Sequence, residues 1–201
     1  MNILKDKIYE VVLLTGTAAV GKSTLSRKIG KTHNFKAFEY GDELFNQAAQ
    51  KHPEITHSET RSHSEIYISD KDVRNTDEAL QLFIKEFRNE YNVVIDSHAV
   101  SKESYGFRSE PFALGQLQRA NFSRIVCLYC EPNVIVERTK NNPEGRPALT
   151  IKEAEFYQSL QSSVAITYST ILGVPLHFIN SNTNPDDVLK KFLSIVGSKS
   201  H

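Results

Sequence analysis

Nine residues near the start of the chain have the types and spacing of a phosphate-binding loop. The stretch Gly-Thr-Ala-Ala-Val-Gly-Lys-Ser-Thr matches the pattern G-x-x-x-x-G-K-[ST] at every fixed position. Its two glycines allow the positive φ angles that bring backbone N–H groups close to a phosphate. We expect Lys22 to contact the β- and γ-phosphates of ATP and the Ser23 hydroxyl to bind Mg²⁺. The predicted nucleotide-contacting residues are Gly16, Thr17, Ala18, Ala19, Val20, Gly21, Lys22, Ser23 and Thr24.

The segments on either side of this loop support the assignment. Residues 8–15 are rich in β-branched and apolar side chains and predict a buried strand. Residues 23–29 continue as a helix with Leu25 and Ile29 on one face. A strand, a glycine-rich loop and a helix in this order are the structural context that the motif requires. The positive end of the helix dipole adds to the attraction for phosphate.

Asp96 is the second candidate for the same site. It ends the apolar strand that is predicted within residues 92–98. A carboxylate at the end of a strand beside a phosphate loop can hold Mg²⁺ through its water shell. We therefore assign Asp96, with Ser23, to the metal. His98 either contacts the substrate or holds the following loop, and the sequence leaves both open.

Asp42 follows another predicted strand, residues 35–40. Aspartate is a common N-cap, so it suits the start of the helix predicted for residues 43–49. It also lies at the carboxyl end of a strand, where open α/β sheets bind ligands. Both roles remain open, and Asp42 is a candidate substrate contact.

Residues 51–75 are polar and include three histidines, His52, His57 and His63. Their spacings do not place them on one helix face, so we expect a solvated, mobile segment rather than a metal site. Arg61 and Arg74 lie in this segment. Arginines on a mobile segment beside a phosphate loop suit the clamping of a second anionic substrate. The alternative is that both are ordinary surface arginines.

Two further segments carry candidate arginines. Residues 101–110 predict a loop that contains Arg108, a candidate substrate contact. Arg138 and Arg146 bracket a turn-rich stretch with two prolines and a glycine. Arginines on a short mobile loop suit phosphoryl transfer, because negative charge develops on the oxygens of the transferred group. The alternative is a plain loop with exposed basic residues.

The two cysteines, Cys127 and Cys130, lie in a run that predicts a central strand. Residues three apart on a strand point to opposite faces. One pair also cannot supply the four ligands of a structural zinc site. We therefore expect buried structural thiols.

The rest of the chain completes an α/β pattern. Asn75 or Thr76 is the expected N-cap of a helix that packs on the sheet, and Pro111 begins a short helix. Thr150 and Glu153 form a capping box for a long helix that ends at Gly173. Its predicted apolar face comprises Ile151, Ala154, Leu160, Val164, Tyr168 and Ile171.

Five predicted strands alternate with helices along 201 residues. This pattern predicts a single domain over residues 1–201, a three-layer α/β fold with a five-stranded parallel sheet. Lys+Arg and Asp+Glu are both 24, which argues against an extended nucleic-acid or anionic-membrane surface. The chain has no run of 18 apolar residues, and its first five residues lack the apolar region of a signal peptide. We expect a cytoplasmic protein.

With these motifs placed, the chain resembles the P-loop nucleoside-monophosphate kinases, and the short archaeal-type adenylate kinases most closely. The similar stretches are residues 16–24, 40–42, 93–98, 102–107, 138–146 and 164–173. The resemblance implies a P-loop kinase fold with an acceptor-binding segment, here residues 43–75, and a lid, here residues 138–150.

The resemblance also implies roles for particular residues. Lys22 would be the phosphate lysine, Asp96 the strand-end carboxylate, Arg74 the clamp on the acceptor phosphate, and Arg138 and Arg146 the lid arginines. This chain departs from the family in its loop, where residues 18–19 are Ala-Ala instead of the usual Pro-Gly. Its His- and Ser-rich acceptor segment also aligns poorly with the family.

The predicted function is phosphoryl transfer from Mg·ATP to a small acceptor, foremost a nucleoside monophosphate. An acceptor phosphate is already an anion, so positioning and positive charge suffice for catalysis. The first alternative is a hydroxyl acceptor, such as a nucleoside or a sugar-like metabolite, with Asp42 or Asp96 taking its proton. The second is a nucleotide-dependent ATPase switch. The guanine-binding tetrapeptide Asn-Lys-x-Asp is absent from the sequence.

Overall fold

A computed structural model describes residues 9–32, 34–141 and 145–196 of the chain. These ranges contain seven strands: β1 (Val11–Gly16), β2 (Phe35–Glu39), β3 (Asn92–Asp96), β4 (Val100–Glu103), β5 (Gly106–Ser109), β6 (Arg124–Tyr129) and β7 (Leu176–Asn180). They also contain nine helices: α1 (Lys22–Thr32), α2 (Tyr40–Ala49), α3 (His57–Ser62), α4 (Ser64–Tyr67), α5 (Asp70–Phe87), α6 (Leu114–Ala120), α7 (Pro132–Asn141), α8 (Ile151–Leu172) and α9 (Pro185–Val196).

Five of the strands form one parallel sheet in the order β2-β3-β1-β6-β7. This confirms the predicted fold class. The register brings Leu14 of β1 and Glu39 of β2 to either side of Asp96 of β3. The carboxyl ends of these strands therefore meet at one edge, where a parallel α/β sheet binds its ligands.

Helices cover both faces of the sheet, and each face has its own apolar cluster. Alternate residues of β1 and β6 belong to different clusters, as expected for side chains that point to opposite faces. Cys127 lies in one cluster and Cys130 in the other, and both thiols are free and buried. Burial raises the pKa of the Cys127 thiol to about 11, which keeps it protonated. The prediction of two buried structural thiols is confirmed.

The segment predicted as a loop over residues 101–110 is an antiparallel hairpin instead. Strands β4 and β5 pair Ser101 with Arg108 and Lys102 with Phe107. The Phe107 ring packs against Tyr157 of α8, with 5.3 Å between the ring centroids. The loop prediction was wrong because the strands are short and polar, and tertiary packing determines their conformation.

Helix α5 begins at Asp70, five residues before the predicted N-cap at Asn75 or Thr76. Ser69 is the N-cap, and its N–H donates to the Asp72 carboxylate at 2.8 Å. Lys51 forms an ion pair with the same carboxylate. Residues 51–75 therefore contain α3, α4 and the first turns of α5.

Two other helix starts differ from the predictions. Helix α2 begins at Tyr40 with Glu39 as its N-cap, so Asp42 lies in the first turn and is not the cap. Helix α6 begins at Leu114 instead of Pro111. In both cases the residue before the helix is not one of the types preferred at the N-cap, so these preferences do not predict where the helix begins.

Helix α8 confirms its predicted ends and part of its predicted buried face. Thr150 and Glu153 form the capping box, and Gly173 ends the helix with φ +65°. Of the predicted face, Ala154 and Tyr168 are buried, Leu160 and Val164 are half-buried, and Ile151 and Ile171 are exposed. The other buried residues of α8 are Tyr157, Gln161 and Ala165. No helix within the described ranges is long and apolar enough to cross a membrane.

Candidate active site

The predicted phosphate loop connects β1 to α1, which begins at Lys22. Three of its residues have positive φ angles: Gly16 (+140°), Ala19 (+63°) and Gly21 (+95°). A Cβ atom on Gly16 would lie 2.5 Å from the carbonyl oxygen of Leu128, so only glycine fits there. Ala19 adopts the left-handed conformation that normally favours glycine. It occupies one of the two positions at which this chain departs from the Pro-Gly of the kinases it resembles.

Lys22 is buried at the start of α1, and its Nζ atom donates to the carbonyl oxygen of Thr17 at 3.0 Å. Burial lowers the pKa of Lys22, while the Asp96 carboxylate acts in the opposite direction. The ammonium group is therefore folded back onto its own loop, beside the N–H groups of the nest. A nucleotide phosphate in the nest would offer it a stronger partner than a carbonyl.

Ser23 and Asp96 lie together as the sequence predicts. The Ser23 hydroxyl donates to Asp96 Oδ2 at 2.9 Å. Burial raises the pKa of Asp96, and the nearby Lys22 charge lowers it. One hydroxyl and one carboxylate suit Mg²⁺, which prefers oxygen ligands and retains several waters in nucleotide sites. The residues present therefore fit this metal.

A cavity of about 1330 Å³ extends from the phosphate loop across the carboxyl edge of the sheet. Pockets for one small ligand are typically roughly 300–1,000 Å³, so this cavity has room for two substrates. Five arginines line it: Arg27, Arg61, Arg108, Arg138 and Arg146. A smaller cavity of about 420 Å³ is lined by Arg27, Asp42, Thr56, His57, Ser58 and Arg61.

The structure brings both predicted lid arginines to this cavity. Arg138 of α7 donates to the carbonyl oxygens of Ala19 at 3.2 Å and Ser181 at 3.4 Å. Arg146 lies near enough to Lys22 to lower the pKa of that lysine by repulsion. Arg138 therefore contacts the loop itself, and Arg146 faces the space in front of it.

The two arginines predicted for the acceptor segment lie in different places. Arg61 of α3 lines both cavities, and its charge also lowers the pKa of Lys22. Arg74 lies on the exposed side of α5 and is not among the residues that line either cavity. The early start of α5 explains the difference, because it places Arg74 within the second turn of a helix whose buried positions are Asp72, Thr76 and Leu80.

His98 lies in the cavity just beyond β3, and solvent reaches its ring. The pKa of His98 lies below its ordinary value, because burial among surrounding groups disfavours the imidazolium and because Lys22, Arg61 and Arg146 repel it. A neutral imidazole can donate one hydrogen bond and accept another. His98 thus lines the same cavity as these three positively charged residues.

Asp42 and Arg108 line the cavity, as predicted for substrate contacts, but both already have protein partners. Asp42 lies 3.5 Å from Arg27, which also pairs with Glu39 at 2.9 Å. Burial raises the pKa of Glu39, and the hydrogen bond from Arg27 lowers it. Arg108 bridges the hairpin and α4 through the following contacts: Glu110 at 3.0 Å, Ser64 Oγ at 3.2 Å and Glu103 at 3.4 Å.

Several residues of the site were not predicted from the sequence. Arg27 lies four residues after Ser23 in α1, and this helical spacing could have identified it. Tyr157 and Gln161 were not predicted because the buried face of α8 was assigned from apolar residues alone. The His57 ring stacks on Phe45 with 3.6 Å between the ring centroids. The described residues contain no group of three or more His, Cys, Asp or Glu that suits a metal ion.

Comparison with known proteins agrees with this geometry. A family model described as an AAA domain matches residues 15–155. The adenylate kinase of Pyrococcus horikoshii is 26% identical over 163 residues, 79% of this chain and 80% of that protein. The adenylate kinase of Thermoplasma acidophilum is 22% identical over 186 residues, 92% of this chain and 97% of that protein. The structure of shikimate kinase from Acinetobacter baumannii in complex with shikimate has a TM-score of 0.57 at 14% identity, over 96% of each chain.

The phosphate loop, the parallel sheet and these similarities define a P-loop phosphotransferase. Because the family model spans well over half of the chain, the protein belongs to the AAA domain family that it describes. The resemblance to P-loop kinases that the sequence motifs predict is confirmed.

Proposed function

We propose that the protein transfers the γ-phosphoryl group of Mg·ATP to the phosphate of a nucleoside monophosphate. The observation that carries this proposal is that Arg61 and Arg146 line the same cavity as Lys22 and His98 and lower the pKa of both groups by their charge. The two arginines come from different segments, α3 and the lid. Arginine is well suited to phosphate because its guanidinium group offers two parallel donors. An anionic acceptor in front of the phosphate loop would relieve the repulsion among these charges.

The donor half of the site supports ATP as the phosphoryl donor. The loop N–H groups and Lys22 would hold the β- and γ-phosphates, and Arg138 stands beside the loop at Ala19. Ser23 and Asp96 would hold Mg²⁺, which neutralises charge on the phosphate oxygens when it is bound. With an acceptor that is already ionised, these residues need only position the substrates and stabilise negative charge.

The curated relatives make AMP the first acceptor to test. Both relatives named above are called adenylate kinase, although they are at most 26% identical to this chain. The cavity lining also includes Tyr40, Asp77, Arg108 and Phe112. These aromatic and polar side chains suit a nucleoside moiety, which needs both stacking and hydrogen bonds.

A hydroxyl acceptor is the second candidate, and the position of Asp42 favours it. Asp42 lines both cavities, where a carboxylate can take the proton of an attacking hydroxyl. One fold neighbour is named shikimate kinase. An Asp42→Asn variant separates the candidates. Strong loss of turnover with unchanged acceptor binding supports a hydroxyl acceptor, whereas a monophosphate acceptor predicts little change in turnover.

The proposal is tested by an acceptor panel. The protein, Mg²⁺ and ATP are incubated with each nucleoside monophosphate, nucleoside and common sugar or acid metabolite, and ADP release and products are followed. A Lys22→Ala variant is the control for contaminating kinases. A monophosphate that accelerates ADP release and yields a diphosphate supports the proposal. Acceleration by hydroxyl compounds alone, or ATP binding without any acceleration, contradicts it.

A further inference from the structure

The middle of α8 carries a buried glutamine whose side chain joins three separate parts of the chain. Gln161 is 1% exposed. Its Nε2 donates to the Thr15 hydroxyl at 3.0 Å. Its Oε1 accepts from the N–H groups of Ala99 and Val100, each at 3.1 Å. Both lone pairs of the amide oxygen are thereby used, which is the full acceptor capacity of this group.

The places that Gln161 joins are the two halves of the active site. Thr15 is the residue before Gly16, where β1 enters the phosphate loop. Ala99 and Val100 follow His98 and lead from the end of β3 into the hairpin. Between Asp96 and Ala99 the chain has left the sheet, and only the Ser97 N–H continues the ladder, donating to Leu14 at 3.1 Å. Gln161 therefore binds the backbone of the two residues that follow His98.

Tyr157, one turn earlier on the same face of α8, makes a parallel connection. Its hydroxyl donates to the Val100 carbonyl at 2.9 Å. The N–H of Ala18 in the phosphate loop lies near enough to the same hydroxyl to oppose the effect of burial on the tyrosine pKa. Two side chains of one helix thus tie the phosphate loop to the residues that follow His98.

We propose that Gln161 is a positioning residue for phosphoryl transfer, which fixes the phosphate loop relative to the segment that carries Asp96 and His98. A buried amide that satisfies two backbone N–H groups resists displacement, because each group left unpaired in the core is unfavourable. Loss of the amide frees the Asp96–His98 segment to shift against Ser23. Misplacement of reacting groups by about 1 Å can lower rates by about 100-fold.

The test compares Gln161→Met with Gln161→Glu and with Gln158→Met as a matched control. Gln158 lies on the same helix and accepts one backbone hydrogen bond, from Cys130 at 3.0 Å, but contacts neither half of the site. Two quantities are measured after urea unfolding has shown each variant to be folded. The first is kcat with the acceptor that the panel identifies. The second is the Mg²⁺ concentration for half-maximal ATP binding by calorimetry, which needs no acceptor and stands even if the proposed acceptor is wrong.

Gln161→Met is expected to lower kcat by about 10-fold or more and to raise the required Mg²⁺ concentration by about 5-fold, on the scale of perturbed supporting residues. Gln161→Glu keeps an acceptor for both N–H groups and should recover most of the kcat. Gln158→Met should lower the free energy of unfolding and leave kcat and the Mg²⁺ dependence unchanged. Equal kcat and Mg²⁺ dependence for Gln161→Met and Gln158→Met, or no recovery by Gln161→Glu, overturns the proposal.

Discussion

Gly145, in the stretch predicted as a lid, lies directly against Ser58 of α3, so that a Cβ atom on Gly145 would come 2.0 Å from the Ser58 carbonyl oxygen. Gly145 also has a φ of +76°, which favours glycine. The two stretches predicted as lid and acceptor segment therefore touch at Gly145 and Ser58, where no side chain fits. This contact brings Arg146, the next residue, and Arg61, three residues after Ser58, toward the same part of the cavity.

We expect Gly145→Ala to lower kcat by about 10-fold or more, because the added methyl group prevents this approach and misplaces Arg146. Gly173→Ala is the matched control, since Gly173 also has positive φ, +65°, but a Cβ there meets nothing within 4 Å. That control should lose about 1 kcal/mol of stability without losing activity. Steady-state kinetics and urea unfolding of both variants check the prediction, which fails if the two lose the same activity.

The backbone conformation of Ala19 leads us to expect that a substitution at this position of the phosphate loop stabilises the protein. Its φ of +63° is unfavourable for an L-residue by about 1–2 kcal/mol. Ala19→Gly should therefore raise the free energy of unfolding by about 1 kcal/mol. Ala18→Gly is the control, because Ala18 lacks a positive φ and should become less stable by about 0.5–1 kcal/mol. Equal destabilisation of the two variants in urea unfolding would falsify the description of the loop.

We expect the Mg²⁺ concentration that activity requires to depend on both Ser23 and Asp96. Asp96→Asn should raise the Mg²⁺ concentration for half-maximal activity by about 10-fold, and Ser23→Ala should act in the same direction. Ser26→Ala, one turn along α1, is the control, because the buried Ser26 hydroxyl has no hydrogen-bond partner among the described residues. Titration of Mg²⁺ at fixed ATP measures the effect. An unchanged Mg²⁺ requirement in Asp96→Asn would argue against the assignment of the metal to this pair.

We expect nucleotide binding to change the pKa of His98. Its pKa is lowered by burial and by the charges of Lys22, Arg61 and Arg146, so in the free protein the ring should stay neutral as pH falls through its ordinary value of 6.5. Bound phosphates offset these charges, and the pKa of His98 should then rise. Histidine NMR titrations with and without nucleotide, assigned through His98→Gln, test this. A normal titration in the free protein, unchanged by nucleotide, contradicts the prediction.

The same pKa shift has a consequence for stability. The unfolded chain takes up a proton at His98 near pH 6.5, while the folded protein does so only at lower pH. Stability contributed by the neutral ring is therefore present above this pH and is lost as pH falls below it. In His98→Gln this part of the pH dependence should disappear, as judged by urea unfolding between pH 5 and pH 8.

The sequence predicts the parts of this protein whose signals are local. The phosphate loop requires its own residue types in order, and Thr150, Glu153 and Gly173 define the ends of α8 by themselves. The apolar strands also follow from their composition, because a strand that is buried on both faces reads as a continuous apolar run. These elements are enough to give the parallel sheet and to bring Ser23 to Asp96.

The parts that depend on tertiary contacts could not be predicted in this way. The hairpin of β4 and β5 depends on the packing of Phe107 against Tyr157, residues fifty positions apart in the chain. The buried face of α8 includes Gln161, because its side-chain amide has three hydrogen-bond partners elsewhere in the fold. The start of α5 was misplaced because Ser69 and Asp72 form a capping arrangement with Asp in place of the usual Glu or Gln.

The misplaced start of α5 also changes which arginine is expected to hold the acceptor. Arg74 is exposed and does not line the cavity, whereas Arg61 and Arg146 both line it. The two arginines are thirteen positions apart in the same predicted segment. Sequence alone could not choose between them, because the choice depends on where the helix begins and which side it buries.

The most direct test of acceptor binding is therefore to measure the KM for the monophosphate acceptor in the Arg61→Ala and Arg74→Ala variants. A hydrogen-bonded charge pair contributes about 1.5–3 kcal/mol, so Arg61→Ala should raise this KM by about 10- to 100-fold. The KM for ATP should change far less, and Arg74→Ala should match the wild-type protein in both constants. Equal effects of the two substitutions, or a loss confined to Arg74→Ala, would contradict the central claim that Arg61 holds an acceptor phosphate.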